Sequence, residues 1–226
     1  MREYYQQELA RLKDELYLLG NMVSQALSES VTALKEHDLA RASRIIIYDR
    51  TVNSKRYRIE EDCLILIATQ APMARDLRFL AGVLEIASEL ERIGDYAKGI
   101  ARITQYIGSE AHVKPLPHIA QMCDLVTNML HRALDAFVNN DAESARQIPV
   151  EDDVVDTLYN KCNKDLIDVI VKEPSKIDQA NYLSWAAHNL ERAADRVTNI
   201  CERTIYTVTG ELLELDYVEP QMSGVN

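Results

Sequence analysis

The chain has 226 residues, 47% apolar and 6% aromatic, and its 7 glycines and 6 prolines are too few for an all-β fold of many short strands. Its 25 basic and 36 acidic residues give a net charge of −11, which argues against nucleic acid as the main partner. No segment reaches the roughly 18 uncharged apolar residues that a membrane-spanning helix requires. We therefore expect an all-α, soluble, cytoplasmic protein.

The first half of the sequence predicts three long helices. Leucines and valines recur at alternating intervals of three and four residues up to about residue 36. His37 and Asp38 interrupt this pattern, and Asp38 is suited to cap a second helix that ends near Thr69. Pro72 suits the first turn of a third helix, which continues to about Ile107.

The pattern of the first half recurs in the second half. An offset of 103 residues aligns the first two helices with the fourth and fifth, and an offset of 100 aligns Leu90–Asp95 with Leu190–Asp195. Pro149 is expected to kink or begin the fifth helix. Because short connections make neighbouring helices antiparallel, we predict two tandem three-helix up-down bundles. Their bounds are 1–108 and 118–208, with a linker at 109–117 and a C-terminal tail at 209–226.

Four of the predicted helices carry an acidic residue followed four positions later by another acidic residue or an amide. These eight residues are Asp49 and Asn53, Glu91 and Asp95, Asp152 and Asp156, and Glu191 and Asp195. Positions i and i+4 project from the same patch of a helix. If the helices fold back about residues 71 and 174, the two pairs of each repeat meet at the same height on the bundle surface.

Carboxylate and amide oxygens are typical ligands of Mg²⁺, Ca²⁺, Mn²⁺ or iron, so the four pairs suggest a metal site, one with more than one cation if the carboxylates bridge. A solvated acidic surface remains an alternative. A di-iron oxidase or ferritin-like protein is a further alternative, but the sequence contains no Glu-x-x-His motif. His188 precedes Glu191 by one turn, yet Ser88 holds the equivalent place, and we leave His188 out of the set. The four cysteines form no C-x-x-C pair and are expected to be buried free thiols.

Two segments resemble the PhoU family, the accessory and regulatory proteins of bacterial phosphate-specific transport. They are QAPMARDLRF at 70–79 and LERIGDYA at 90–97, and LERAADR at 190–196 repeats the second of them. The D-x-x-V-[DN] segments that start at Asp49 and Asp152 occupy the helices where the family has them. The resemblance therefore extends over both repeats.

This resemblance implies two PhoU-type bundles, a homodimer and no catalytic activity. It also implies multinuclear clusters of iron, zinc, manganese or magnesium at the acidic pairs. In function, it implies a negative regulator of the phosphate-starvation response that limits phosphate uptake. Such a protein links the ATPase subunit of the phosphate ABC transporter to a sensor histidine kinase, and it associates peripherally with the inner membrane face through these partners.

The chain departs from the family pattern at two places. Asn53 replaces an acidic residue, so we expect weaker metal binding in repeat one. Gln70-Ala71-Pro72 contains one residue more than the usual Gln-Pro, which leaves the expected fold unchanged.

Overall fold

The computed structural model describes residues 2–110 and 117–215. In these ranges the chain forms seven α-helices: α1 (Arg2–Glu36), α2 (Leu39–Gln70), α3 (Ala74–Ile107), α4 (Pro117–Asn139), α5 (Ala142–Gln147), α6 (Asp152–Lys172) and α7 (Ile177–Thr209). Short 3-10 turns occupy Ile148–Glu151 and Pro174–Lys176. The all-α prediction is confirmed. Most of the predicted linker and of the predicted tail lies outside the described residues.

An aspartate begins the second helix of each repeat. Asp38 accepts a hydrogen bond from the backbone N–H of Arg41 at 2.8 Å. Asp141 accepts hydrogen bonds from the backbone N–H groups of Glu143 and Ser144 at 3.1 and 3.0 Å. These acceptors satisfy N–H groups that have no partner within the helix. The predicted cap at Asp38 is confirmed, and the second copy repeats it.

The connection between α2 and α3 is longer than the sequence pattern indicates. α2 ends at Gln70, Ala71 adopts the left-handed conformation with φ 43°, and α3 begins only at Ala74. Pro72, which we predicted in the first turn of α3, was therefore placed wrongly and precedes the helix. The longer connection also moves the centre of this helical hairpin beyond residue 71.

Side-chain contacts between α2 and α3 give the size of this shift. Arg56 Nη2 donates to Ser88 Oγ at 3.4 Å, and Lys98 Nζ donates to Asp49 Oδ2 at 2.7 Å. A hairpin centred on residue 71 would place Ser88 opposite residue 54 and Lys98 opposite residue 44. The two contacts are displaced by two and five residues from that alignment, but Lys98 pairs with both Asp49 and Asp95, so the acidic residues of α2 and α3 still lie near the same height.

The middle helix of repeat two is broken, whereas that of repeat one is continuous. α5 ends at Gln147, and Pro149 lies in the 3-10 turn before α6 begins at Asp152. Proline has no N–H to donate, and its ring clashes with the preceding turn, so it interrupts an α-helix. The equivalent residue of α2 is Ile46, and that helix continues through it. The predicted effect of Pro149 is confirmed.

The two repeats pack together through α1 with α4 and through α3 with α7. A Cβ atom on Gly20 of α1 would lie 2.1 Å from Leu134 Cδ1 of α4. A Cβ atom on Gly82 of α3 would lie 2.6 Å from Thr207 Oγ1 of α7. The absence of a side chain at each glycine therefore leaves room for a side chain of the facing helix. One buried apolar cluster consequently extends through both repeats.

The four cysteines are free and buried, as predicted. Burial raises the pKa of the Cys63, Cys123 and Cys201 thiols to about 12 and that of Cys162 to about 11. These thiols are protonated at neutral pH and act as apolar core side chains. Across residues 2–110 and 117–215, no helix is both long enough and apolar enough to cross a lipid bilayer.

Candidate functional site

In repeat one, a lysine connects the acidic residues of α2 and α3. Asp49 is 7% exposed, and its Oδ2 accepts hydrogen bonds from Lys98 Nζ at 2.7 Å and from Asn53 Nδ2 at 3.3 Å. Lys98 Nζ also lies 3.5 Å from Asp95 Oδ1. The hydrogen bond to Asp49 raises the pKa of Lys98, so this ammonium group is charged at neutral pH. Its positive charge lies between carboxylates of two helices.

Glu91 completes the acidic group of repeat one. Burial, followed by the charge of Asp95, raises the pKa of Glu91, and the charge of Asp49 acts in the same direction. Arg56, which extends from α2, opposes this shift. Asp49, Glu91 and Asp95 therefore form one electrostatic group, which we call the repeat-one cluster together with Asn53. Lys98 and Arg56 are cations at this cluster.

Repeat two carries four acidic residues of the predicted set on α6 and α7, which we call the repeat-two cluster. Its members are half-buried Asp152, exposed Asp156, half-buried Glu191 and half-buried Asp195. The α6–α7 register agrees with the sequence prediction to within one residue, because Ser184 Oγ donates to Asn163 Oδ1 at 2.7 Å. The predicted approach of the α6 and α7 pairs therefore rests on a register that the structure supports.

Mutual repulsion is evident within the repeat-two cluster. Burial raises the pKa of Glu191, and the charge of Asp195 raises it further. Burial also raises the pKa of Asp195, although Arg192 and Arg196 oppose the shift. The charge of Asp156 on α6 raises both values, so repulsion acts across the two helices. Ionised carboxylates in this arrangement are stabilised by a cation.

Two side chains of α7 lie beside carboxylates of the repeat-two cluster. His188 Nδ1 lies 3.2 Å from Glu191 Oε2, at an angle outside hydrogen-bond geometry, and Arg192 Nη1 lies 3.0 Å from Asp195 Oδ2. The side chains of His188 and Arg192 are 53% and 41% exposed. Exposed pairs within one helix contribute only about 0.3–0.5 kcal/mol. In the described part of the chain, neither side chain pairs with carboxylates of both α6 and α7 in the way that Lys98 pairs with carboxylates of α2 and α3.

The two clusters differ in how well their donors fit a metal ion. Within the described ranges, no three His, Cys, Asp or Glu side chains already surround a common point as a ligand set. The repeat-two cluster nevertheless supplies carboxylates from both α6 and α7, and the charge of Asp156 acts across the helices on Glu191 and Asp195, which suits a hard divalent cation. The repeat-one cluster supplies three carboxylates and an amide, and Lys98 already provides a positive charge there. Repeat two therefore fits a metal ion better than repeat one.

Lys98 is a residue of the site that the acidic pattern of the sequence did not predict. Lys98 follows Asp95 by three residues and Glu91 by seven, so all three share one face of α3. This spacing was a usable signal for a charge pair on one helix. The contact with Asp49 could not be read from it, because that contact depends on the register between α2 and α3.

Polar pairs also join α3 to α7 beside the two clusters. Arg203 pairs with Glu85, Arg196 Nη1 lies 3.4 Å from Glu89 Oε2, and Asn199 Nδ2 donates to the same oxygen at 3.2 Å. Residue numbers that increase along α3 are therefore paired with residue numbers that decrease along α7. This antiparallel register sets the two copies of the repeated signature side by side at the contact between the repeats.

Comparison with known families places both repeats in one domain type. The PhoU domain is matched twice, over residues 16–104 and over residues 119–204. The two matches together include all or part of each of the seven α-helices.

Similar proteins extend over almost the whole chain. A phosphate-specific transport system accessory protein PhoU homolog from Clostridium acetobutylicum is 32% identical over 95% of this chain and 99% of its own length. The phosphate-specific transport system accessory protein PhoU of Escherichia coli is 34% identical over 90% of this chain and 85% of its own length. The crystal structure of the phosphate transport system regulatory protein PhoU from Streptococcus pneumoniae superimposes with a TM-score of 0.86. That protein is 32% identical, over 93% of this chain and 99% of its own.

Proposed function

The chain belongs to the PhoU family, and we propose that it is an accessory protein of a phosphate-specific transport system with no catalytic activity of its own. The observation that carries this proposal is the nearly full-length similarity to accessory proteins from different bacteria. Their names assign them to phosphate transport. The similarity includes both repeats, so the proposal applies to the chain as a whole rather than to one domain of it.

In this role the protein acts as a negative regulator through protein contacts. It forms a homodimer at the cytoplasmic face of the membrane and connects the ATPase subunit of the transporter to a sensor histidine kinase. When phosphate is plentiful, this connection limits uptake and represses the starvation response. The net charge of −11 supports protein partners over nucleic acid, since a phosphate backbone would be repelled.

A metal ion in repeat two is part of this proposal. The residues that would hold it are Asp152, Asp156, Glu191 and Asp195. A divalent cation bound there would supply positive charge that offsets the repulsion behind the raised pKa of Glu191 and Asp195. Because these carboxylates belong to α6 and α7, bound metal would fix the two helices against each other and stabilise the surface of repeat two.

The regulatory role is tested in a bacterium whose own PhoU-family gene is deleted and which carries a reporter of the phosphate-starvation response. Expression of this chain at high phosphate should restore repression of the reporter. The purified chain should also bind the purified ATPase subunit of the phosphate transporter but not the ATPase subunit of an unrelated ABC transporter. A reporter that stays active despite normal protein levels, together with no binding to the ATPase subunit, would contradict the proposal.

The metal role is tested by elemental analysis after loading with Mn²⁺. The variant Asp156→Asn/Glu191→Gln/Asp195→Asn should lose the metal that the wild-type chain retains. The control Asp14→Asn/Glu61→Gln/Asp168→Asn makes the same charge change at three exposed carboxylates, and it should keep the metal. Equal metal content in the two variants would show that the repeat-two cluster is not the binding site.

A further inference from the structure

The most informative difference between the clusters lies at one residue of the third helix in each repeat. The offset of 100 that aligns Glu91 with Glu191 also aligns Lys98 with Thr198. Lys98 reaches Asp49 at 2.7 Å and Asp95 at 3.5 Å, whereas Thr198 is fully buried and carries no charge. Repeat one therefore has the positively charged side chain of a lysine at this position, and repeat two has an uncharged threonine.

The position of Lys98 is one that a metal ion would have to take. A metal ion that joins the two helices of repeat one would have to contact carboxylates of both α2 and α3. The Lys98 ammonium already pairs with one carboxylate of each helix, Asp49 of α2 and Asp95 of α3. Asn53 also donates an N–H to Asp49 Oδ2, so that oxygen accepts two hydrogen bonds. The other carboxylate oxygen of Asp49, Oδ1, has no hydrogen-bond partner among the described residues.

Displacing Lys98 would be costly because Asp49 is buried. Its side chain is 6% exposed, so its charge cannot be compensated by water and requires a bound cation. Lys98 is tethered to α3 and needs no binding from solution, which gives it the advantage of an intramolecular ligand over a dissolved ion. Arg192, an exposed cation of repeat two, lies on the same helix as its partner Asp195 and can move aside at little cost.

We propose that Lys98 occupies the metal position of repeat one, so that this chain binds metal only in repeat two. This inference rests on the proposed metal function of repeat two and specifies where that function resides. The two repeats then perform the same structural task by different means. In repeat one a side-chain ammonium holds α2 against α3, and in repeat two a dissolved cation holds α6 against α7. Depletion of metal would remove the cation of repeat two and leave the Asp49–Lys98 pair of repeat one in place.

The experiment moves the metal site from one repeat to the other. The starting variant is Asp156→Asn/Glu191→Gln/Asp195→Asn, which inactivates the repeat-two cluster. Adding Asn53→Asp and Lys98→Thr to it gives repeat one the residue types found at the equivalent positions of repeat two. Two controls accompany this variant. One adds Asn53→Asp alone, with Lys98 retained, and the other adds Asn53→Asp with Lys164→Thr, which removes an exposed lysine of α6.

Mn²⁺ content per chain and the thermal midpoint with Mn²⁺ and with EDTA are measured for every variant, and circular dichroism verifies the helical fold. We expect the starting variant and both controls to lose the metal and its stabilising shift. The variant with Asn53→Asp and Lys98→Thr should regain both. A separate variant, Glu91→Gln/Asp95→Asn, leaves the Asp49–Lys98 pair intact and should keep the metal content of the wild-type chain.

Three results would overturn the inference. If the starting variant keeps metal that is lost only when Glu91 and Asp95 are also neutralised, repeat one binds metal despite Lys98. If a folded variant with Asn53→Asp and Lys98→Thr binds no metal while the wild-type chain does, Lys98 is not what prevents binding. If the wild-type chain itself binds no Mn²⁺ above the background of the starting variant, the proposed metal function fails and the inference fails with it.

Discussion

The two repeats share one helical plan but balance its surface charge differently. Residues 1–113 carry 15 basic and 17 acidic side chains, whereas residues 114–226 carry 10 and 19. The acidic clusters show the same difference. Lys98 and Arg56 lie at the repeat-one cluster. The equivalent residues of repeat two, Thr198 and Tyr159, are uncharged. The internal duplication thus keeps most of the acidic positions, whereas the basic residues beside them differ between the repeats.

This comparison separates what the repeats share from what each has on its own. The apolar core is common to both, since one buried cluster extends through α1, α3, α4 and α7. The charge balance is specific to each repeat and resides at the edges of the core. Changes in the core should therefore alter the packing of both repeats, whereas changes at a cluster should alter the charge balance of one repeat only.

The largest effect is expected from the shared core. Phe137 is 1% exposed and stacks on Phe79 of the other repeat at a centroid distance of 5.5 Å. Phe137→Ala should lower the free energy of unfolding by about 4 kcal/mol, since it removes a large side chain and leaves a cavity. Urea unfolding followed by circular dichroism and by hydrogen exchange of α2 should give one common midpoint. Loss of structure in repeat two before α2 would show that the repeats have separate stability.

A smaller effect is expected from the charge pair of repeat one. Lys98→Met should lower the free energy of unfolding of the metal-free protein by about 2 kcal/mol, because Asp49 would remain buried without a counter-charge. Lys164→Met, which changes an exposed lysine, should leave that free energy within about 0.5 kcal/mol of the wild-type value. Urea denaturation in the presence of EDTA measures both. Equal effects of the two substitutions would contradict a structural role of the Asp49–Lys98 pair.

The caps of the two middle helices allow a further comparison. Asp38→Ala should lower the free energy of unfolding by about 1 kcal/mol, because the backbone N–H of Arg41 loses its acceptor. Asp141→Ala removes the equivalent cap from α5, a helix of 6 residues. Because α5 is too short to be stable by itself, its amide groups should exchange faster with solvent. Thermal unfolding and hydrogen exchange test these outcomes, and unchanged exchange in α5 would contradict the second one.

The smallest expected effect is the pH dependence of the metal-free repeat-two cluster. Folding raises the pKa of Glu191 and Asp195, so the folded state binds protons more tightly than the unfolded state. Ionisation of the two carboxyl groups therefore destabilises the folded protein at any pH above their raised pKa values. This stability is regained as the pH falls from the raised pKa values towards the ordinary pKa values of 4.5 for Glu191 and 3.8 for Asp195.

The variant Glu191→Gln/Asp195→Asn removes this pH-dependent destabilisation. In EDTA at pH 7 it should be more stable than the wild-type chain by about 0.5 kcal/mol, and the difference should shrink as the pH is lowered towards 4. Thermal midpoints of the two proteins across this pH range provide the measurement. A difference that is constant with pH would mean that these carboxylates are not the source of the shift.

Much of the fold could be predicted from local sequence patterns. The apolar periodicity identified the long helices, Asp38 identified a cap, and Pro149 identified the break before α6, because each of these depends on neighbours a few residues away in the chain. The α6–α7 register was also predicted to within one residue. The α2–α3 register was not, because Ala71 turns the chain and delays α3 to Ala74. A few extra residues in a connection displace every contact along the helices that follow.

The sequence by itself determined the helices, their duplication, the face on which each acidic pair lies and the family resemblance, since all of these are encoded by spacing along one chain segment. Only the tertiary structure decided that Asp49 is buried, that Lys98 is its partner and that the repeats share one core. Burial and pairing depend on how one helix is placed against another. That placement follows from connection geometry and close packing over distances in sequence that no local pattern records.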